Sequence, residues 1–415
     1  MIIKENVKNF EKMGLGMFVH FGLYSLYGKG EWAYHHVAAG DEAERARYRA
    51  LANEFNPKAG WARELAKTAK RAGCRYITLT TRHHDGFSLY DTCGLSEFDV
   101  MHGAAGRDLV REFVDACNEF GIVPFFYHTY LDWYVPEYES DFPAYLAYLR
   151  KSVELLCTRY GKIGGLWFDG KWNKRDADWE EDALYGMIRH YQPDAIIINN
   201  TGIGAEGELG HIELDSVTFE RSKPAAINME NAPKYVACEM CQVFGTHWGY
   251  AKEDFRFKSM QEIIEDYCTC RKYGGNYLLN VGPLADGSLR PIEQAMFETL
   301  GEWSEPLREA LYLPRSKEIV VTNKEKDFVL QGDGCYYLFA FGLPMKGSAN
   351  VVKYMDDPVY RDELCLPSRV RRVYWLHSGK DLAFEQNGQD VVVHTLPFHY
   401  GEHRVVAVAK IEIEP

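Results

Sequence analysis

The chain has 415 residues, 46% apolar and 26% charged, an ordinary balance for a globular protein that buries a core. A mainly disordered or fibrous chain is excluded, and the length allows one large barrel with a smaller partner domain. Lys and Arg number 47 against 60 Asp and Glu, a net charge of −13, and no basic stripe of the kind that binds nucleic acid is present.

The N-terminus, MIIKENVKNFEKMGLG, has no basic stretch leading into an apolar one, so no signal peptide is expected. No run of about 18 apolar residues predicts a membrane helix. Ten scattered cysteines fit reduced thiols and a cytoplasmic location. Cys238-x-x-Cys241 followed by Cys268-x-Cys270 could supply four zinc ligands. The second pair, however, has a one-residue gap inside a helical pattern, which favours buried thiols.

Strand and helix signals then alternate along the chain. The apolar run GMFVHFG (16–22) comes first. Helix 65–73 ends in Gly before strand 75–81, and helix 108–121 repeats that grammar before strand 122–128. Helix 142–161 precedes GGLWFD (164–169), and helix 179–192 precedes AIIINN (195–200). Strands 214–220 and 235–241 follow with weak helical signals between them. Helix 259–275 leads to strand 276–282, and a last helix spans about 291–312. The Gly that closes several of these helices is a C-cap signal, and apolar strands between amphipathic helices predict parallel βαβ units. Eight strands predict a TIM-like (β/α)8 barrel over 1–314, irregular around strands five to seven. The alternative is a doubly wound open sheet, but no GxGxxG or GxxxxGK[ST] follows a strand. From 315 to 415 the helical period vanishes. Asp333-Gly334, Ser378-Gly379 and Asn387-Gly388 are hairpin signals, which predict a small antiparallel β-sandwich.

Barrel active sites lie at the C-terminal ends of the strands. Those ends carry His20; His83, His84 and Asp85; Tyr127 and His128; Asp169; Asn199 and Asn200; Glu220; Glu239; and Asn280. One such Asp is often only a helix cap, but eight polar ends converging on one mouth predict a site. Asp169, set after Leu-Trp-Phe, suits a nucleophile or base held against aromatics. Adjacent His83 and His84 on an extended segment should face opposite ways, so only one would ligate a metal there. Neutral imidazoles bonded to sugar hydroxyls account for the cluster better, and no metal or other cofactor is expected.

The strings GMFVHFGLYS, EWAYHH, AKRAGCRYITLTTRHHDGFSLYDT, LWFDGKW, HWGY and GGNYLLNVGPLADGSL, in that order, resemble the α-L-fucosidases of glycoside hydrolase family 29. The resemblance spans about residues 14–290. It implies a TIM-like barrel with a C-terminal β-sandwich, and retaining hydrolysis of terminal α-linked L-fucose from an oligosaccharide or glycoconjugate. By resemblance Asp169 is the nucleophile. His20, Glu31, Trp32, His83, His84 and Tyr127 hold the fucose hydroxyls, with Trp167 near the ring. The acid/base is Glu220, the favoured candidate, or Glu239. Phe21 and Trp248 are candidates to receive the C5 methyl of fucose. The sequence departs from the family pattern at Thr201, where some members carry Arg, and at Cys238, where a Trp is usual. A homo-oligomer is compatible with the sequence. Two other readings are a catalytically inactive fucose-binding barrel and a metal-dependent TIM-barrel hydrolase using His20, His83 or His84.

Overall fold

The computed structural model describes residues 4–36, 40–224, 234–316, 318–345 and 360–415; the first three residues, part of the stretch read for a leader, lie outside them. Eight strands close into a parallel barrel in sequence order. They are β1 Leu15–Val19, β2 Tyr76–Arg82, β3 Val123–Thr129, β4 Gly165–Asp169, β5 Ile196–Asn199, β6 Ser216–Glu220, β7 Ala237–Gln242 and β8 Asn276–Val281. β8 pairs with β1 and completes the ring. The sheet is closed rather than open, as the eight apolar runs predict.

The strands read as near-continuous apolar runs because the barrel interior covers one face and helices cover the other. The helix Trp61–Ala72 buries Trp61, Leu65, Ala66, Ala69 and Ala72 on one stripe. The helix Leu109–Phe120 starts at Asp108, whose carboxylate accepts the Arg111 N–H at 2.9 Å. Between β5 and β6 the chain forms turns and no helix, and β5 meets β6 at the single register pair Ile198↔Ser216. This is the irregular sector that the weak helical signals mark.

Alternate residues of each strand point into the barrel. On β4 these are Gly165, Trp167 and Asp169; on β7 they are Ala237, Glu239 and Cys241. The interior is filled by Phe10, Phe18, Tyr76, Phe125, Tyr127, Trp167, Ile198 and Leu278, among others. Gly16 lies beside Tyr76 of the neighbouring strand β2, and a Cβ there would come within 2.3 Å of the tyrosine ring. Glycine at 16 therefore makes room for a large aromatic in the barrel floor.

Cys238 and Cys241, three apart on β7, face opposite sides of the strand, so they do not form the chelating pair considered from the sequence. All ten cysteines are free thiols. Among the described residues no three His, Cys, Asp or Glu side chains are grouped so as to hold a metal ion. No described helix is long and apolar enough to cross a membrane.

By internal contacts the chain divides into two compact units, Met1–Lys258 with Asn276–Glu298, and Ser259–Gly275 with Thr299–Pro415. Helix Met260–Lys272 thus groups with the C-terminal strands rather than with the barrel strands on either side of it in sequence. The second unit has a five-stranded antiparallel sheet, ordered β13-β16-β11-β10-β9, and a three-stranded one, ordered β12-β15-β14. The strands are β9 Glu318–Val320, β10 Phe328–Gln331, β11 Cys335–Phe341, β12 Tyr360–Cys365, β13 Val370–Trp375, β14 Phe384–Asn387, β15 Asp390–Thr395 and β16 Val406–Ile413. Leu338, Val373 and Ala409 of one sheet share a core with Leu364, Val391 and Val393 of the other, which makes a sandwich. Asp333-Gly334 and Asn387-Gly388 turn between paired strands. Ser378-Gly379 turns the chain back on β13, where Tyr374 bridges Asp381 in antiparallel, before it crosses to β14 in the other sheet.

Candidate active site

A cavity of about 560 Å³ opens at the C-terminal ends of the barrel strands, a volume suited to a small sugar. Its lining includes His20, Glu31, Trp32, His83, His84, Tyr127, Trp167, Asp169 and Glu220, which the sequence singles out. Glu239 does not line it.

Asp169 is the last residue of β4 and is held by four donors or near donors. Trp172 Nε1 and Asn200 Nδ2 reach Oδ1 at 3.0 and 3.2 Å, and the Tyr127 hydroxyl reaches Oδ2 at 3.1 Å. His84 Nε2 lies 3.5 Å from Oδ2. Burial alone would raise the Asp169 pKa. The hydrogen bonds and charge of His84, with Trp172 and Asn200, overcome burial and bring it down to about 2. The carboxylate is therefore ionised at neutral pH.

Glu220 is the last residue of β6. Its Oε2 accepts from the same Asn200 amide nitrogen at 2.8 Å. Burial and the negative charge of Asp169 push its pKa up to about 7. Two carboxyl groups in one cavity thus divide into an ionised one and one that holds its proton near neutrality, the separation that acid–base chemistry requires.

Glu239 lies one interior layer lower. In the β6–β7 register Glu239 is opposite Thr218, and Glu220 is opposite Cys241, two residues nearer the mouth. Tyr76 donates to Glu239 Oε2 at 2.5 Å and Trp167 Nε1 donates to Oε1 at 2.8 Å. Burial pushes its pKa up to about 7. Its geometry anchors the aromatic floor on which the cavity rests.

The histidines are set by neighbouring loops. Asn280 Nδ2 donates to the Trp248 carbonyl at 2.6 Å, which turns its oxygen to His20 Nδ1 at 2.7 Å. His20 Nδ1 therefore carries a proton and Nε2 is left as an acceptor; burial lowers the pKa to about 3 and keeps the ring neutral. The Thr129 hydroxyl donates to the Leu131 carbonyl, so its oxygen accepts from His84 Nδ1 at 2.6 Å. Burial and the adjacent His84 and His20 hold His83 well below the usual imidazole pKa. Its Nδ1 has no hydrogen-bond partner among the described residues.

Both His83 and His84 line the cavity, as the resemblance implies, although adjacent residues of an extended segment would face opposite ways. The extended alternation is broken there: the β2–β3 register shifts between Thr80 and Arg82, and the Gly86 N–H closes a turn on the His83 carbonyl at 3.0 Å. A buried Arg82–Asp132 ion pair of 2.6 Å and the Trp133 N–H on the His84 carbonyl fix that turn.

Glu31 is buried, and its Oε2 accepts the Gly249 N–H at 2.9 Å. Trp32 stacks on Trp172 with centroids 5.9 Å apart and meets Trp133 edge-on at 5.0 Å. Trp248 lines the cavity and stacks on His20 at 5.2 Å. Phe21 does not line it. As the neighbour of His20 it points the other way and packs on Phe55 and Trp61 at 5.2 and 5.0 Å. Thr201 turns its hydroxyl to the Ala205 carbonyl, while Arg221, after β6, brings a cation to the cavity.

The family model described as alpha-L-fucosidase matches residues 3–307. The chain belongs to the α-L-fucosidase family. It is a glycoside hydrolase of that family, with the family's barrel and sandwich. It is 26% identical over 368 residues to the tissue α-L-fucosidase of Rattus norvegicus, covering 82% of this chain and 78% of that one. With its counterpart in Mus musculus it shares 28% over 328 residues, 73% of this chain and 70% of that one. Among solved structures, α-L-fucosidase isoenzyme 1 from Paenibacillus thiaminolyticus superposes with a TM-score of 0.81 at 25% identity, over 99% of each chain.

In this fucosidase-family chain, Trp172, Arg175, Ile203, Arg221, His36 and His247 also line the cavity and were not singled out by sequence reasoning. His36 ends the short helix Ala33–His36, and the others come from loops or short turns. Trp172, His36 and His247 nonetheless lie within the strings LWFDGKW, EWAYHH and HWGY, the signals that could have found them.

Proposed function

We propose that this chain is a retaining exo-α-L-fucosidase that removes terminal α-linked L-fucose from oligosaccharides or glycoconjugates by double displacement. The observation that carries the reading is the shared donor. One nitrogen of Asn200 bonds an oxygen of Asp169 at 3.2 Å and one of Glu220 at 2.8 Å. Those oxygens can lie no farther apart than the two bonds laid end to end, about 6 Å. Retaining glycosidases hold their carboxyl groups about 5–5.5 Å apart, and inverting ones about 6.5–9.5 Å.

In the first step an Asp169 oxygen forms a bond to C1 of fucose as the C1–O bond to the leaving group breaks. The Glu220 carboxyl proton passes to that leaving oxygen. In the second step the Glu220 carboxylate takes a proton from water, the water oxygen bonds to C1, and the ester to Asp169 breaks. His20, with Nε2 open as an acceptor, and His83, with Nδ1 unpartnered, are assigned to the sugar hydroxyls, together with Glu31, Trp32, His84 and Tyr127. Trp167 and Trp248 supply apolar walls, Trp248 for the C5 methyl. Glu239 is assigned to positioning Trp167 and Tyr76. All these groups lie within 1–314, which we assign as the catalytic domain, and ten free cysteines fit a cytoplasmic setting.

Proton NMR of the first product formed from 4-nitrophenyl α-L-fucoside tests the reading. α-L-Fucose, mutarotating later, is expected; β-L-fucose as the first product, or no turnover by folded protein, would sink it.

A further inference from the structure

The charges around the cavity are sorted by depth. Its carboxylates, Glu31, Asp169 and Glu220, are buried or half-buried. Its exposed lining residues are His36, Arg175, Ile203, Arg221 and His247, with no acid among them, in a chain of net charge −13. The rim cations are not equally committed. Arg221 donates to the Thr246 carbonyl at 3.0 Å and lies 5.2 Å over the Trp248 ring. Nearby Lys171 is neutralised by Glu181. Arg175 has no hydrogen bond or ion pair among the described residues, so its five donors are open to a ligand.

A side cavity of about 220 Å³ shares Trp172, Arg175 and Asn200 with the main one. Asn200 bonds both Asp169 and Glu220, so this opening lies beside the pair of carboxyl groups at which the leaving oxygen departs. Next to it the rim of the main cavity is apolar, where Trp172, Gly202 and Ile203 line it. Gly202, at φ +85°, brings the loop so close to Trp172 that a Cβ would fall 3.1 Å from the indole Cδ1. The next residue, Ile203, is 69% exposed at the rim. Glu208 also lines the side cavity and offers an acceptor for hydroxyls.

Resting on the fucosidase reading above, we propose that Arg175 recognises an anionic group on the leaving sugar, a carboxylate or a sulfate ester, while Trp172 and Ile203 receive that sugar's apolar face. The planar guanidinium fork matches either anion in a bidentate manner. Because Arg175 is exposed, the contact is screened, and the expected gain is roughly three- to tenfold in kcat/KM at low salt.

The test uses the purified full chain and matched disaccharides: α-L-fucosyl-galactose, its 6-sulfate, and α-L-fucosyl-galacturonic acid, in the linkage hydrolysed fastest. The readout is the ratio of kcat/KM for each acidic substrate to that for the neutral one. A ratio of about three to ten is expected for at least one acid, falling near one in Arg175→Ala and below one in Arg175→Glu. The sulfate and uronate arms distinguish the source of the anion. A ratio of one or less for both acids in the unmodified enzyme overturns the inference, as does a preference that survives both substitutions. In those cases turnover of the neutral disaccharide leaves the fucosidase reading standing. Absence of turnover on every α-L-fucoside would overturn both.

Discussion

Asp169 and Glu220, the last residues of β4 and β6, are joined through a single side-chain nitrogen of Asn200, which follows β5 between them. The donor lowers the pKa of both groups, against burial of each. Asn200→Ala is expected to reduce kcat/KM roughly ten- to a hundredfold, the usual range for a hydrogen bond to a charged group. The alkaline limb of the pH profile should also move to higher pH, because Glu220 loses a contact that favours its ionised form. A lower profile of unchanged shape would mean that Asn200 only supports the fold.

The unmodified enzyme should need Asp169 ionised and Glu220 protonated. With Asp169 near 2 and Glu220 near 7, kcat/KM is expected to hold through mildly acidic pH and to fall as pH rises through about 7. Initial rates on 4-nitrophenyl α-L-fucoside across pH 4–9 check this. A profile that rises through pH 7 would contradict the assignment of Glu220 as the proton donor.

Substitution separates the three carboxyl groups. Asp169→Ala should remove nearly all turnover, with azide giving β-fucosyl azide. Glu220→Ala should lose roughly 10²–10⁴-fold on poor leaving groups, with azide giving α-fucosyl azide. Glu239→Gln keeps an acceptor for only one of Tyr76 and Trp167. It should cost about 1–3 kcal/mol of stability, read by denaturant unfolding, with activity within about tenfold and no azide rescue. Rescue at Glu239 would exchange the roles of the two glutamates.

The sandwich carries a pH response of its own. Burial, then the hydrogen bond and charge of Asp362, push the Asp327 pKa up to about 7. Asp362 also accepts from the Thr395 hydroxyl at 2.6 Å. The folded state therefore holds a proton that the unfolded chain releases near the ordinary carboxylate value of 3.8. Stability from this pair is greatest at acid pH and is lost as pH rises from about 4 to about 7. Asp327→Asn should flatten that slope in thermal unfolding scans and raise the melting temperature above pH 7. An unchanged slope would show that the pair shares no proton.

The barrel was legible because its strands are short apolar runs, several of them after a helix that ends in Gly, and strand ends could be located to within a few residues. That accuracy suffices for His20, Asp169 and Glu220, which sit at or just past an end. It fails for Glu239, where an offset of two residues is one layer of the barrel interior and separates a cavity wall from the packed floor. His83 and His84 were misjudged in orientation because a register shift and a turn replace the extended alternation there. Arg175, Ile203 and Arg221 were missed because loop paths decide what they face. Arg221 itself sits at φ +53°, a left-handed conformation that no periodicity in the sequence encodes.

The seam between β5 and β6, zipped at one point only, separates the parts of the cavity that do different work. The groups assigned to the sugar come chiefly from β1 to β4, where each neighbouring pair is in register over at least four residues, and the proton donor stands beyond the seam on β6. Substitutions on the far side can alter the reach or angle of that donor while the cradle for the sugar stays in place. Such a barrel can diversify in what it detaches fucose from without relearning how to hold fucose.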